Sequence, residues 1–488
     1  MSGYSEGGAS LNKKTLKNWM PRHLSAISDI ENHLNLLRNR SFDLATNSPL
    51  GAAIINTLTT GVIGQGLRLF PRPRFNELGM SAEQARAWSR KVKSEFGLWS
   101  GDCDYLRRNS FEELQRIGFQ SSLADGDCFC LIKRELPNKN NPYSLRLQLV
   151  ESARVSNPIV NGVSLVADMK YGANRIVNGV EVDRAGRMVA FHISNRLWNE
   201  VSATEPELTW QRVKIFGEKT GCRNVLQICT DSRPDNYRGV SVLAPVIEGL
   251  KQLSRYVDAE LTAAIIRSFF SLFVVQPASN LTLNEALGQR DEEDKGDIDI
   301  SEIELGSGTI SALPKGCDVK AIDSQHSQNV FANFVEALTK EICAAVNLPY
   351  EVVIKNFTSS YAASRAALLQ AQNEYNQRKA FFITDFLKPI YEQFLSEAVA
   401  TGRIDAPGYF DDANKKVAYL NAEWYTPTSK VLDVTKETNA AIAKLESGLS
   451  TYEKEIAEMS GEDFEEVIEK LSQECELLPI KKEPAQAP

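Results

Sequence analysis

The longest regular pattern of apolar and polar positions lies within residues 239–275. Apolar residues recur there at seven-residue intervals, at Leu243, Leu250, Val257 and Ala264. A second series, Val246 and Leu253, is interrupted by Glu260. This spacing predicts a long helix with a coiled-coil-like seam. At ~1.5 Å rise per residue it is a rod of roughly 45 Å, and its recurring charges are not typical of a membrane span.

A second helix is predicted over residues 324–345. Its apolar positions follow a four-residue spacing, at Val330, Phe334, Leu338 and Ile342. We expect it to pack antiparallel against the first rod. Residues 272–322, between the two helices, are predicted to form a small β-rich insertion with a strand at 272–276 and a short strand pair over 303–313. Its acidic run, residues 291–299, is typical of a solvated, flexible loop.

Residues 1–238 are predicted to form an α+β unit, with helices first and an antiparallel sheet afterwards. Helices are predicted at 13–40, at 81–100, at 111–123 and after Ser48, which caps a helix with Pro49 in its first position. Three glycines, Gly61, Gly64 and Gly66, end that helix. A phosphate-binding loop is disfavoured there because no Lys-Ser/Thr pair follows. Strands are predicted at 127–134, 146–150, 179–182, 188–194, 213–216 and 225–228, with Ala185 and Gly186 in a hairpin turn.

The last third of the chain is predicted to be mainly helical. A polar loop at 355–360 precedes a helix over 361–400, which Pro389 is expected to kink. The portion from Trp424 to residue 473 is predicted as helical again, with helices at 430–447, 450–459 and 461–474. Ser450 and Glu453 have the spacing of a capping box. The fold class predicted for the whole chain is α+β.

Composition restricts the class of protein. The 488 residues are enough for two to four folding units, and the net charge of −8 argues against a protein that clamps nucleic acid by bulk positive charge. It does not exclude a protein that lets DNA pass. The eight cysteines lack a framework spacing, and no signal peptide is recognised, so we interpret them as reduced thiols in a cytosolic setting. Cys128 and Cys130 alone do not make a zinc site.

No catalytic motif is convincing. The chain lacks a Walker A loop, a G-x-S-x-G elbow and an H-E-x-x-H pair. One enzymatic alternative is a metal-dependent nucleic-acid-processing enzyme that uses Asp125, Asp127 and Glu151. A turn leading into a strand is the favoured interpretation of the first two. A second alternative is a cytosolic coiled-coil scaffold. We predict no metal and no cofactor, and we favour a structural role over an enzyme.

Four stretches of the chain resemble the lambda-type portal proteins of tailed bacteriophages. They are LRNRSFD, NSP and VIGQGL within 37–67, RGV and VDAEL within 238–261, ICAAVNLPYE and SYAASRAAL within 342–368, and GLSTYEKE at 448–455. Ala362 and Ala363 depart from the family, in which a serine tends to follow the tyrosine. This departure concerns the polarity of a loop edge and not the fold.

The resemblance implies a ring, typically of twelve subunits, around a central DNA channel. It assigns the wing to 1–238, the stem helices to 239–271 and 323–346, the clip to 272–322, the tunnel loop and long wing helix to 347–404, and the crown and tail to 405–488. The implied channel residues are Lys355, Asn356, Phe357, Thr358, Ser359, Ser360 and Arg365. The implied stem-packing residues are Leu243, Leu250, Leu253, Val257 and Glu260. The implied clip docking residues are Asp291, Glu292, Asp297 and Asp299.

The resemblance also implies the protein's partners and place. A portal sits at one vertex of the capsid of the virion and is assembled in the host cytoplasm. It conducts double-stranded DNA without reading its sequence, nucleates head assembly, and docks the terminase large subunit and later a head-completion, adaptor or tail protein. The major capsid protein and a scaffold are further implied partners, and no membrane is. An ordinary solvated lysine remains the competing interpretation of Lys355.

Overall fold

Helices and antiparallel sheets together build the chain, as the predicted α+β class requires. A computed structural model describes residues 9–11, 13–139, 141–159, 168–197, 200, 207–230, 233–269, 273–275, 318–320, 328–358, 360–426, 434–460 and 464–477. The chain divides into two compact units: residues 1–245 with 346–488, and residues 246–345.

The first unit begins with helices. They are α1 (Leu34–Asn47), α2 (Pro49–Val62), α3 (Phe75–Leu78), α4 (Ala82–Ser100) and α5 (Phe111–Asp125). Ser48 caps α2 by accepting the Gly51 N–H at 3.3 Å, as predicted. The helix predicted from residue 13 is wrong in its first part, because regular helical structure starts only with a π-helical turn at Ile27–Glu31. Pro21 lacks an amide hydrogen and favours an extended residue before it, so a helix cannot continue through this point.

Two larger antiparallel sheets lie in this unit, in addition to a pair that β1 forms with β12 (Ala422–Tyr425). The strands are β1 (Arg68–Pro71), β2 (Asp127–Arg134), β3 (Leu145–Val150), β4 (Asp168–Tyr171), β5 (Asn174–Val177), β6 (Val180–Val182), β7 (Met188–Ser194), β8 (Trp210–Lys214) and β9 (Val225–Cys229). One sheet has the order β3-β2-β9, and the other is a meander from β4 to β8. Phe129 of the first sheet and Phe191 of the second lie in one buried cluster, with ring centroids 5.0 Å apart. The two sheets therefore share one apolar core.

The hairpin between β6 and β7 is confirmed, with Gly186 at a φ of 85° in its turn. Glycine tolerates this left-handed backbone without steric cost. The strands β4 and β5 were not predicted.

The long helix after the polar loop is interrupted, as its proline indicated. It consists of α9 (Tyr361–Phe382), a π-helical turn (Ile383–Leu387) and α10 (Lys388–Ala400), with Pro389 near the start of the last segment. Proline has no backbone N–H to donate to a carbonyl of the preceding turn, and the π-helical turn lies directly before it. α8 (Tyr350–Ile354) precedes this helix. Phe386 and Phe394 are buried and lie close to the rings of Phe111 and Trp99.

The C-terminal part is helical with one exception. Its elements are α11 (Ala413–Tyr419), β12 (Ala422–Tyr425), α12 (Val434–Glu446), α13 (Tyr452–Ser460) and α14 (Phe464–Leu477). Trp424, which was assigned to a helical portion, lies in β12 and pairs with Leu69 of β1. Thr451, not Ser450, caps α13 by accepting the Lys454 N–H at 3.3 Å. The predicted capping box is thus wrong, because the third residue after this cap is Lys454, whose side chain cannot accept a hydrogen bond from the backbone N–H of the cap.

The second unit is built on two antiparallel helices, α6 (Ile247–Phe269) and α7 (Gln328–Ala345). Near one end, an added Cβ at Gly249 would lie 3.3 Å from Ile342. Further along, the Tyr256 ring lies 5.4 Å from Phe331 and 4.9 Å from Phe334. The predicted antiparallel pair is therefore present, although α6 begins at Ile247 and not at 239. A short antiparallel pair, β10 (Phe273–Val275) and β11 (Asp318–Lys320), belongs to the predicted clip.

Candidate functional site

Asp127, the first residue of β2, is the centre of a buried ion-pair network. Arg238 Nε donates to Asp127 Oδ2 at 2.7 Å, and Arg238 Nη2 donates to Oδ1 at 3.0 Å. The Gly239 N–H donates to Oδ2 at 3.1 Å, and the Ser152 hydroxyl donates to Oδ1. Burial alone would raise the pKa of Asp127, but the Arg238 guanidinium lowers it below its usual value. The carboxylate is therefore fully engaged within the protein.

The other two carboxylates of the enzymatic alternative do not join Asp127 in a site. Asp125 lies at the end of α5, where burial raises its pKa to about 6. Glu151 is exposed after β3. In the part of the chain that the structure describes, no three His, Cys, Asp or Glu residues are grouped closely enough to hold a metal ion. Arg238 occupies both carboxylate oxygens of Asp127, so this side chain is not available as a metal ligand. This counts against the metal-dependent enzyme proposed as an alternative for these three residues.

The same network joins distant segments of the first unit. Glu31 accepts the backbone N–H groups of Tyr237 at 3.1 Å and Arg238 at 3.2 Å. The Asn178 side-chain amide donates to Glu31 at 2.7 Å, and Arg238 Nη1 donates to the Val155 carbonyl at 2.7 Å. Burial raises the pKa of Glu31. Residues 237–239, which lead towards the first stem helix, are thereby fixed to the N-terminal segment and to both sheets.

The predicted channel residues other than Arg365 belong to the connection between α8 and α9, and Arg365 lies in the second turn of α9. The exposed ones are Lys355, Asn356, Phe357, Thr358, Ser360 and Arg365, whereas Ser359 lies outside the described residues. Lys355 ends α8 with a left-handed φ of 59°, and the Asn356 N–H donates to the Glu351 carbonyl at 3.1 Å. Ser360 caps α9 by accepting the Ala363 N–H at 3.4 Å. The connection thus has fixed ends and presents two cations, one at each side.

The predicted stem-packing residues fall on different faces of α6 and the segment before it. Leu243 and Leu250 are buried, Leu253 and Glu260 are half-buried, and Val257 is 40% exposed. At ~100° per residue, Leu253 and Glu260 share a face with Tyr256, which packs on α7. Around the helix axis, Val257 lies about 100° from Tyr256 but about 40° from Leu253, and it begins an exposed apolar face.

Sequence reasoning missed two further members of that exposed apolar face. Leu261 is 60% exposed and Ile265 is 49% exposed. They follow Val257 at four-residue intervals, and this spacing was the available signal. Val257, Leu261 and Ile265 therefore form an exposed apolar stripe, whereas Leu243 and Leu250 of the seven-residue seam are buried within the chain.

The predicted clip docking residues, Asp291, Glu292, Asp297 and Asp299, lie outside the described residues. The same holds for the strand pair expected over 303–313. Of this insertion, the structure describes only the β10–β11 pair at its two ends.

Comparison with known proteins identifies the family. The model of the lambda family of phage portal proteins matches residues 12–379. The chain belongs to that family. Portal protein B of Escherichia phage lambda is 23% identical over 486 residues, which cover 96% of this chain and 88% of the relative. The portal protein of Escherichia phage N15 is 22% identical over 485 residues, with the same coverage.

Solved structures are also similar to this portal protein. A chain from the neck of a native gene transfer agent particle, computed with C12 symmetry, has a TM-score of 0.44 and 12% identity, and the match covers 87% of this chain and 92% of the other. A HK97-family portal protein from Corynebacterium diphtheriae has a TM-score of 0.32 and 11% identity, with 76% and 93% coverage.

As a phage portal protein, the chain is a structural component of the virion at the portal vertex of the capsid. In the described ranges, no helix has both the length and the apolarity that crossing a bilayer demands.

Proposed function

We propose that this portal protein forms a closed ring, of twelve copies, and that DNA passes through the ring during packaging and ejection. The observation that carries the proposal is the exposed apolar face of α6, at Val257, Leu261 and Ile265. A stripe of this kind on a helix pair is costly to leave in water and is covered when neighbouring helices pack on it. In a closed ring, every copy covers its neighbour's stripe.

The charge of the chain suits a conduit. Twelve copies carry about −96 formal charges, from −8 for each chain. Duplex DNA binds proteins in proportion to the number of phosphates that cations neutralise, so a net negative ring disfavours tight binding. Lys355 and Arg365 are exposed and offer transient contacts to the phosphate backbone without reading bases.

The remaining roles follow from family membership. We propose that the ring nucleates head assembly, contacts the major capsid protein and scaffold, and docks first the terminase large subunit and then a head-completion or adaptor protein. The proposed docking surface is the clip, with Asp291, Glu292, Asp297 and Asp299. The chain has no Walker A motif, so the packaging ATPase must be a separate protein.

Imaging purified protein tests the ring. Negative-stain particles are expected to be closed rings with a central hole, and mass photometry should give about twelve times the chain mass of 54.3 kDa. Extended rods or dimers would instead support the cytosolic coiled-coil scaffold.

Deletion of residues 272–322 tests the docking assignment. The deleted form should still assemble but should not package DNA when supplied with terminase and procapsids. Packaging by the deleted form would show that the docking surface lies elsewhere.

The enzymatic alternative has its own assay. Duplex and single-stranded DNA incubated with the protein should stay intact with and without magnesium. Should cleavage occur, Glu151→Gln is the informative variant, because Glu151 is exposed whereas Asp127 holds the fold together.

A further inference from the structure

A large groove with a cationic rim lies in the first unit, and none of its lining residues belongs to the channel connection. Its volume is about 1190 Å³, and its walls are the segment 23–27, the β4–β5 hairpin, the β6–β7 turn and residues 233–237. Small-molecule sites typically occupy roughly 300–1,000 Å³. The groove is therefore larger than a small ligand requires and suits an extended chain.

The rim of this cationic groove differs in charge from the rest of the protein. Lys170 and Arg175 stand on the β4–β5 hairpin, Arg184 in the β6–β7 turn, and Arg233 on the opposite wall. Two aspartates, Asp183 and Asp235, also line it. Four Lys and Arg residues against two Asp residues make the groove positive in a chain whose net charge is −8. An acidic partner is thus attracted to this place selectively.

The walls are held in place by their own hydrogen bonds. Arg233 Nη2 donates to the Leu24 carbonyl at 2.7 Å, and Arg233 Nη1 lies 2.8 Å from Asp29 Oδ2. Asp183 accepts the Ala185 and Arg187 N–H groups at 2.8 and 2.9 Å, so its carboxylate is engaged within its own turn. The cations are consequently presented on a preformed frame, which lowers the entropic cost of binding.

The floor of the groove is apolar, which distinguishes peptide from nucleic acid. Leu24, Ile27 and Val182 line it, together with the buried ring of Tyr237. Single-stranded nucleic acid is usually held by exposed aromatic rings on which bases stack. Among the residues that line the groove, Tyr237 is the one Tyr, Phe or Trp, and it is only 8% exposed. A duplex is a convex cylinder that contacts proteins mainly through its phosphates. An extended peptide carries both carboxylates for the rim and apolar side chains for the floor.

We propose that the cationic groove binds an extended, acidic segment of a partner protein. Carboxylates of the segment pair with Lys170 and Arg184, while its apolar side chains contact the floor. The groove shares no residue with the exposed face of α6, so its loss should leave the proposed ring assembly unaffected.

The test measures fluorescence anisotropy of a labelled ten-residue peptide that is rich in Glu and carries two Leu residues. Full-length protein should bind this peptide and should bind it more weakly as salt rises. The variant K170E/R184E should lose at least about tenfold in affinity, because two attractive charges become repulsive. The control R40E/K219E makes the same charge change at exposed positions outside the groove and should stay within about twofold.

Four outcomes overturn the proposal: no binding to the full-length protein, equal binding by K170E/R184E, equal binding of a peptide with Gln in place of Glu, or tighter groove-dependent binding of a DNA oligonucleotide. Circular dichroism and particle images of each variant confirm that folding and ring formation are intact. A groove variant that still forms rings therefore tests the groove alone, and failure of this proposal is distinguishable from failure of the ring.

Discussion

Asp127 and Arg238 form a buried ion pair whose two members are 0% exposed. Asp127→Asn keeps the shape of the side chain but leaves the Arg238 charge without its counter-ion. Loss of one member of a buried pair typically costs about 3–5 kcal/mol. Urea unfolding followed by circular dichroism should show a loss of this size in the free energy of unfolding.

Glu218→Gln is the matched control for that substitution. Glu218 pairs with Lys214 across an exposed i,i+4 contact, and exposed pairs contribute little. We expect no measurable shift of its unfolding midpoint. Equal midpoints for Asp127→Asn and Glu218→Gln would contradict the central role given to the buried pair.

Asp125 gives the unit a pH dependence of opposite sign to that of Asp127. Burial raises its folded-state pKa from 3.8 to about 6, so the folded state holds its proton to higher pH than the unfolded state does. Its contribution to the free energy of unfolding therefore falls as pH rises from about 4 to about 6 and is constant above that. Asp125→Asn cannot ionise at this position, so it removes this loss in the free energy of unfolding.

The variant should accordingly gain stability relative to the wild type across that window, by up to about 3 kcal/mol at pH 7. Urea unfolding of both proteins at several pH values measures the difference. A difference that does not grow between pH 4 and pH 7 would argue against the buried carboxyl as its source.

Local signals were sufficient for some residues and not for others. Ser48 and Pro49 were predicted as a helix start because capping depends on neighbours within four positions. Asp127 and Arg238 are 111 positions apart, so neither residue's surroundings in sequence indicate the other. Asp127 follows Asp125 and Gly126 and precedes an apolar strand, so we interpreted it as part of a turn that leads into that strand.

At the level of elements, the stability of the first unit depends on how closely its helices α2 and α9 pack. Gly61 of α2 faces Tyr375 of α9, and an added Cβ would lie 2.4 Å from the tyrosine ring. Gly61→Ala must push the two helices apart, and overpacking of this kind costs typically about 1–3 kcal/mol. A lowered thermal unfolding midpoint is the expected result.

Gly97→Ala is the control for Gly61→Ala, because the same substitution in another helix of this unit should not lower the thermal unfolding midpoint. An added Cβ at Gly97 in α4 has no neighbour within 4 Å. Alanine is the better helix former by about 1 kcal/mol, so this substitution should be neutral or stabilising. If both alanines changed stability in the same direction, packing against Tyr375 would not be the cause.

Two of the elements that sequence reasoning missed, β1 and β12, depend on distant pairing. β1 and β12 are each four residues long, and Leu69 pairs with Trp424. Neither strand has enough alternation to be recognised alone, whereas α6 and α7 carry long periodic patterns and were predicted with their antiparallel arrangement. The faces of α6 were harder to assign, because a periodic seam does not say which partner covers it.

Val257 tests whether the exposed face of α6 is a contact between copies. Val257→Asp places a charge on this face without touching the side that packs on α7, so the chain should fold normally but assemble at least about tenfold more weakly. Mass photometry and circular dichroism measure assembly and folding separately. Ala259→Asp introduces the same residue on the polar face of the same helix and should leave rings intact.

Leu250 was grouped with Val257 in the predicted seam, and a double Asp variant is expected to stop assembly. Leu250 is 1% exposed within a single chain. Leu250→Asp should therefore reduce the helical signal as well as assembly, because it buries a charge. Intact rings from Val257→Asp would contradict the seam as a subunit contact, whatever Leu250→Asp does.

For the proposed ring, the question at the scale of the whole molecule is how an assembly with a net negative charge contacts DNA. Net repulsion prevents tight binding, so any contact must come from local cations such as Lys355 and Arg365. Lys355 has a left-handed backbone that Asn tolerates well, so Lys355→Asn removes the charge without distorting the end of α8. Arg365→Gln likewise removes the charge and preserves helix propensity.

The double variant K355N/R365Q should bind linear duplex DNA more weakly than the wild-type ring does. Its plot of log affinity against log salt should lose about one unit of slope for each phosphate contact removed. Arg40→Gln with Lys219→Asn removes two exposed charges elsewhere and should leave the slope unchanged. Equal slopes for the two double variants would show that DNA does not pass these cations.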